Sequence, residues 1–357
     1  MEGYVRMSYA DLYIGTYTQG IYHLRFWPAT GECQMMNITG RSENPSFLAV
    51  APTHLYAVNE LEHRSAITTY RIEANGALTF LKHTNTPGTA MCHLEMGRNN
   101  QAIYAANYLS GHVLACPILN DGTAGTPISV FQHQGHSVNT NRQESQHAHS
   151  VNLDPSGQYL LAADLGMDQI VVYQVNPTNG RLAPAHSISV SPGEGPRHMA
   201  FHPGGGTVYL VTELGNSVIT YQYGNGHMEQ LQALPLLPED FTGESLAADI
   251  HLSPDGRFLY ASNRGHDSIT LFKVLRDGTL KRLGWISSGG SNPRNFCISP
   301  DGSYLVAANQ DSNTVVFFPR ISETGWTAEP VCKIAVPKPV CVKWKKAAPA
   351  LTNKDKE

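Results

Sequence analysis

Four segments of the chain follow one plan: LDPSGQYLLAADL (153–165), FHPGGGTVYLVTEL (201–214), LSPDGRFLYASNR (252–264) and ISPDGSYLVAANQ (298–310). Each ends one strand, turns on Pro-x-Gly and enters a second strand that closes on small or polar residues. The turn prolines Pro155, Pro203, Pro254 and Pro300 stand 48, 51 and 46 residues apart. Looser copies, VAPTHLYAVNE (50–60) and EMGRNNQAIYAANY (95–108), lie upstream with their turns 45 residues apart. A third strand follows each of the four, as in DQIVVYQV (168–175), NSVITYQY (216–223), DSITLFKV (267–274) and NTVVFFPR (313–320), and a more variable fourth comes after it. Four strands repeated every 40 to 50 residues or so predict the blades of an all-β propeller.

The two ends fix the number of blades. DLYIGTYTQGIYHLRF (11–26) reads as second and third strands without a first, and VPKPVCVKW (336–344) as a first strand without a second. Paired with each other they make a composite blade, which with six complete ones predicts a seven-bladed β-propeller closed by its N- and C-terminal segments. Residues 1–346 then form a single domain, and 347–357 are expected to be a disordered tail.

Composition narrows the function. Only 15% of residues are charged and the net charge is −4, which argues against nucleic acid or an acidic membrane as partner. The N-terminus has no apolar signal core, and no apolar run is long enough to span a bilayer. The six cysteines, Cys33, Cys92, Cys116, Cys297, Cys332 and Cys341, form no C-x-x-C pair. The expectation is a cytoplasmic protein with reduced thiols, no disulfide framework and no zinc knuckle.

Antiparallel pairing sets the entry of each first strand beside the exit of its second, so residues far apart in sequence meet at one mouth of the ring. The entries are Ser46, Met91, His149, Arg197, Ala248 and Arg294, and the exits are Tyr17, Glu60, Tyr108, Leu165, Glu213, Arg264 and Gln310. A purely structural repeat would use one residue type at every copy, whereas these vary and carry charge. Arg197, Arg264 and Arg294 with His149 and Glu213 suit a small anionic substrate, because arginines bind anions bidentately while His and Glu handle protons. An enlarged spacing from Gly97 to Pro155 adds the polar loop FQHQGHSVNTNRQESQHAHS (131–150), which brings His133, His136, Arg142 and His147 to the same mouth. His147 and His149, two apart on a strand, are expected to share a face, a weak metal signal without a third ligand. His198 is expected to point away from Arg197, and Asp249 ranks below Glu213.

Over nearly its whole length the chain resembles the seven-bladed propeller 6-phosphogluconolactonases, which share their fold with carboxy-cis,cis-muconate cyclase. The resemblance rests on YIGTYT (13–18), GPRHMAFHP (195–203), YLVTELGNSV (209–218), residues 237–269 and VPKPVCVKW (336–344). It implies functional residues at His149, Arg197, Glu213 and Arg264, four positions that the mouth geometry also selects. The expected reaction is hydrolysis of 6-phospho-D-glucono-1,5-lactone to 6-phosphogluconate in the pentose phosphate pathway. No nucleophile elbow or Cys/His dyad is visible, which favours direct attack by water. His149 is read as general base and Glu213 as orienting it or the water, two roles that the sequence leaves exchangeable, with Arg197 as oxyanion partner and Arg264 as phosphate ligand. Arg294, His147 and Arg142 are further substrate contacts, with no metal or organic cofactor and a monomer or weak homo-oligomer expected. The alternatives are a muconate-type cycloisomerase, a hydrolase of another sugar lactone, and a propeller that only binds.

Overall fold

The computed structural model describes residues 8–40 and 42–345; the segment 347–357, expected to be a tail, lies outside them. The described residues form seven four-stranded antiparallel sheets. Innermost strands of the first six blades are Leu48–Val50, Met91–Met96, Ala148–Leu153, Pro196–Phe201, Leu246–Leu252 and Pro293–Ile298. The seventh blade is the composite one: Pro339–Trp344 is innermost, followed outward by Ala10–Thr16, Ile21–Trp27 and Glu32–Thr39. Its register pairs Leu12 with Trp344 and Gly15 with Cys341.

The second strands are buried on both faces because each sheet is covered by its two neighbours. Tyr159–Asp164 and Thr207–Thr212 are accordingly near-continuous buried runs, while the outer strand Leu182–Ser189 alternates towards solvent. Core clusters lie between blades: Leu161, Val172, Leu210 and Tyr221 join the third blade to the fourth. At the Pro-x-Gly turns, Gly157, Gly205, Gly256 and Gly302 all take φ between +71° and +79°, which a side chain rarely tolerates.

Part of the tyrosine content has a repeated structural use. Tyr13, Tyr56, Tyr209 and Tyr260 each donate the phenol proton to a glycine carbonyl in an outer hairpin of the next blade: Gly76, Gly122, Gly278 and Gly325, at 2.6–2.9 Å. Tyr304 does the same to Pro28 O across the seam with the composite blade. These bonds key one blade to the next at the periphery, where the wedges are widest.

The expectation of six reduced thiols is corrected. Cys33 and Cys332 form a disulfide with their Cα atoms 6.2 Å apart, although 299 residues separate them in sequence. Cys33 lies on the outer strand of the composite blade and Cys332 on the outer strand of its neighbour. Sequence spacing cannot show the pairing, because ring closure alone creates the proximity. Cys92, Cys116, Cys297 and Cys341 are free and buried. Denatured, unreduced protein should therefore titrate four thiols per chain and six after reduction; six before reduction would remove the disulfide. No helix among the described residues is long and apolar enough to cross a membrane.

Candidate active site

A bulge recurs on the innermost strands and decides what faces the channel. The ladder skips Cys92, His149, Arg197 and Arg294 in blades two, three, four and six, and both Ala248 and Asp249 in the fifth. An extra residue breaks strict alternation, so adjacent side chains can turn to the same side. In the second blade the entry residue is thus Cys92 and not Met91, whose side chain is in the hydrophobic core. For the same reason His198 does not point away from Arg197: its Nε2 lies 3.2 Å from Arg197 Nη1.

Four of the bulged residues, Cys92, His149, Arg197 and Arg294, line a pit together with Tyr17, Ser46, Glu60 and His198. Its volume is about 20 Å³, space for roughly one water. Beside it opens a cavity of about 690 Å³ that shares Tyr17 and Glu60 and is walled further by Asn44, Arg64, Tyr108 and the carboxylates Glu43 and Glu62.

Glu213 is the hub. Its Oε1 accepts from Arg142 Nη2 at 2.5 Å, and its Oε2 accepts from Arg197 Nε and Arg264 Nη2, each at 2.8 Å. Burial alone would raise the carboxyl pKa, but the Arg264, Arg197 and Arg142 guanidiniums hold it well below its ordinary value. Glu213 is therefore a permanent anion at neutral pH. Arg197 also donates from Nη1 to Ala248 O at 2.6 Å, and Arg264 donates to Leu246 O and Ala247 O.

His149 has a different environment. Its Nε2 stands 3.9 Å from Glu213 Oε2, beyond a hydrogen bond, and its buried Nδ1 has no partner among the described residues. Burial first, and the Arg197 charge second, push its pKa well below the usual histidine value, so the ring is neutral. It is packed edge-on against Tyr108 and His198. Neighbouring Cys92 donates its thiol to His149 O at 3.2 Å, and burial raises its pKa, so it offers no thiolate.

Arg294 is the unpaired cation. Among the described residues no carboxylate lies within 4.0 Å of it, and its guanidinium sits 5.3 Å from the Tyr17 ring centroid. On the facing wall Glu60 accepts from Ser46 Oγ at 2.5 Å and from Tyr17 OH at 3.1 Å. Around the pit itself, four guanidiniums thus face two carboxylates.

The structure brings His149, Arg197, Glu213, Arg264, Arg294 and Arg142 together, and it leaves two expected contacts out. His147 lies outside the pit, stacked 4.5 Å from Tyr108, donating to Tyr108 O and bonded to Glu144; it does not share a metal-binding face with His149. His133 is tied to Asp164 and Tyr173 OH. Gln143 and Asp168 had no signal in the sequence. Gln143 donates to Leu165 O and Asp168, while Asp168 accepts from Gly193 N and Gly195 N, so the pair anchors the segments carrying Arg142 and Arg197.

Comparison with known proteins identifies the family. The seven-bladed β-propeller lactonase family matches residues 11–344. The chain is 36% identical over 342 residues to a 6-phosphogluconolactonase of Bacillus subtilis, covering 93% of this chain and 97% of that one. It superposes on a periplasmic gluconolactonase of Pseudomonas aeruginosa with a TM-score of 0.90 at 33% identity, covering 96% and 100% of the two chains. A protein from Lactobacillus plantarum gives 0.90 at 30% identity, covering 95% and 100%. By sequence, fold and the reach of the match, the chain belongs to the lactonase family of seven-bladed β-propellers.

Proposed function

We propose that the protein hydrolyses 6-phospho-D-glucono-1,5-lactone to 6-phosphogluconate by direct attack of water. Lactone hydrolysis in general is supported by the names of its relatives. One observation carries the mechanism: a buried, neutral histidine with neither ring nitrogen hydrogen-bonded, beside a pit for a single water. His149 takes a proton from that water as it attacks the carbonyl carbon. The carbonyl oxygen becomes an oxyanion against Arg197, whose Nη2 has no partner among the described residues. The resulting imidazolium is balanced by Glu213, and it returns the proton to the ring oxygen as the C–O bond breaks. Glu213 holds charge in place and is not itself the base.

The larger cavity has the size of small-ligand sites. Arg264, read as the phosphate ligand, commits Nε and Nη2 to protein partners. In this proposal Arg294 and the partly exposed Arg142 meet the phosphate first, and Arg264 assists through Nη1. A cytoplasmic setting and a role in the pentose phosphate pathway belong to the same proposal. The test is to generate the phospholactone in situ with glucose-6-phosphate dehydrogenase and follow its loss. Wild-type protein should speed that loss with kcat/KM level from pH 8 down through 6.5. The fall should come only at lower pH, where His149 protonates and ceases to act as base. His149→Asn should lower kcat by about 10²–10⁴-fold. No acceleration over the spontaneous rate would overturn the reading.

A further inference from the structure

Below the pit, on the far side of Arg197, lies a hydrogen-bonded chain that the proposed reaction does not use. Asp249, 3% exposed, occupies the two-residue bulge of the fifth blade. Its Oδ1 accepts from His198 Nδ1 at 2.8 Å and from Ile250 N at 3.0 Å. Its Oδ2 accepts from His251 Nε2 at 2.9 Å and Asn295 Nδ2 at 2.5 Å. A carboxylate on Nδ1–H places the proton there and leaves Nε2 as a lone pair, which is the atom that accepts from Arg197 Nη1 at 3.2 Å.

We propose that Asp249 and His198 are positioning residues, which set the direction of Arg197 by fixing the imidazole tautomer that accepts its Nη1–H. The proposal rests on reading Arg197 as the oxyanion group. Three acceptors then surround the guanidinium: Glu213 at Nε, and Ala248 O with His198 at Nη1. Together they leave Nη2 for the substrate. A planar guanidinium held on two sides has little freedom left to swing, and oxyanion stabilisation depends on donors that need no reorganisation. The His198 ring remains available in this form because burial, and then the Arg197 charge, push its pKa down to about 4. Burial would raise Asp249, but His251 and then His198 keep it well below the ordinary carboxylate value and so ionised.

The chain also borders a second cavity. Phe47 and His198 line both the pit and this cavity of about 370 Å³, which is lined also by Asp249 and His251. Asp249 therefore acts from the side of His198 remote from the pit, without touching substrate.

Three substitutions test this. Asp249→Asn offers an amide donor to Nδ1 and favours the Nε2–H tautomer, which sets two donors against each other at Arg197. His198→Leu removes the acceptor. His198→Gln keeps an acceptor near the Nε2 position. Asp249→Asn and His198→Leu should lower kcat about 30- to 100-fold with KM within about threefold, since the lost contact serves the transition state. His198→Gln should stay within about fivefold of wild type while melting with His198→Leu. Should Asp249→Asn fail to fold, the two His198 variants still decide. The ¹⁵N shifts of His198 give a readout independent of turnover: wild type should show protonated Nδ1 and bare Nε2. If wild type hydrolyses no lactone, the functional reading fails while the ¹⁵N result still judges the relay. Protonated Nε2 in wild type, equal losses in the Gln and Leu variants, or an effect confined to KM would each overturn it.

Discussion

Truncation after Lys338, which deletes the strand Pro339–Trp344, should abolish cooperative folding. That strand is the inner edge of the composite blade and pairs with residues 12–16. Val340, Cys341 and Val342 are at most 4% exposed. At roughly 1.5–3 kcal/mol for each fully buried side chain of this size, their loss alone rivals the 5–15 kcal/mol of a typical domain. It would also leave Leu12–Thr16 as an open edge and remove the contact of the closing blade with both neighbours. A chain ending at Lys345 keeps every strand described and is the control. Circular dichroism with thermal melting separates the outcomes: the control should melt as wild type, and the longer truncation should show no cooperative transition. A native-like melt for the longer truncation would contradict closure by the terminal segments.

The blades were legible because their turns are chemically specific. Pro-x-Gly needs a left-handed glycine, and the copies at Gly157, Gly205, Gly256 and Gly302 recur every 46 to 51 residues. Closure was legible from orphan strands at the two ends. The mouth followed from antiparallel pairing, which is why Arg197 and Glu213, 16 residues apart, are bonded. What the sequence concealed has one cause in three places: the bulge. Strict alternation turns His198 away from Arg197, aims His147 with His149, and selects Met91 over Cys92. One extra residue per inner strand reverses all three. The Cys33–Cys332 pair was hidden because it joins blades that meet only when the ring shuts. The saturation of Glu213 was hidden for another reason. Arg142 arrives from a loop, and its reach is set by Gln143 and Asp168, whose bonds leave no pattern in the chain.

Glu213→Gln should be costly to both stability and turnover. The carboxylate is 3% exposed and bonded to three guanidiniums, so the amide leaves Arg197 and Arg264 as buried cations without a counter-charge. Breaking a buried pair from one side costs about 3–5 kcal/mol, roughly a fifth or more of a typical domain's stability. Urea titration should show the midpoint falling with the slope unchanged. Turnover should fall about 10²–10⁴-fold, because the protonated His149 loses its counter-ion and Arg197 one of its three acceptors. Adding Arg264→Met to Glu213→Gln removes an uncompensated cation and should recover part of the stability without recovering turnover. The pH dependence supplies the sign. Glu213 is held well below its ordinary value of 4.5, so its contribution is complete above that pH and drains away as pH falls through the folded value. The stability gap between wild type and Glu213→Gln should therefore be level from about pH 5 upward and should narrow in acid below pH 4.5. A gap that is absent at neutral pH, or that widens in acid, would mean that Glu213 does not hold the cluster together.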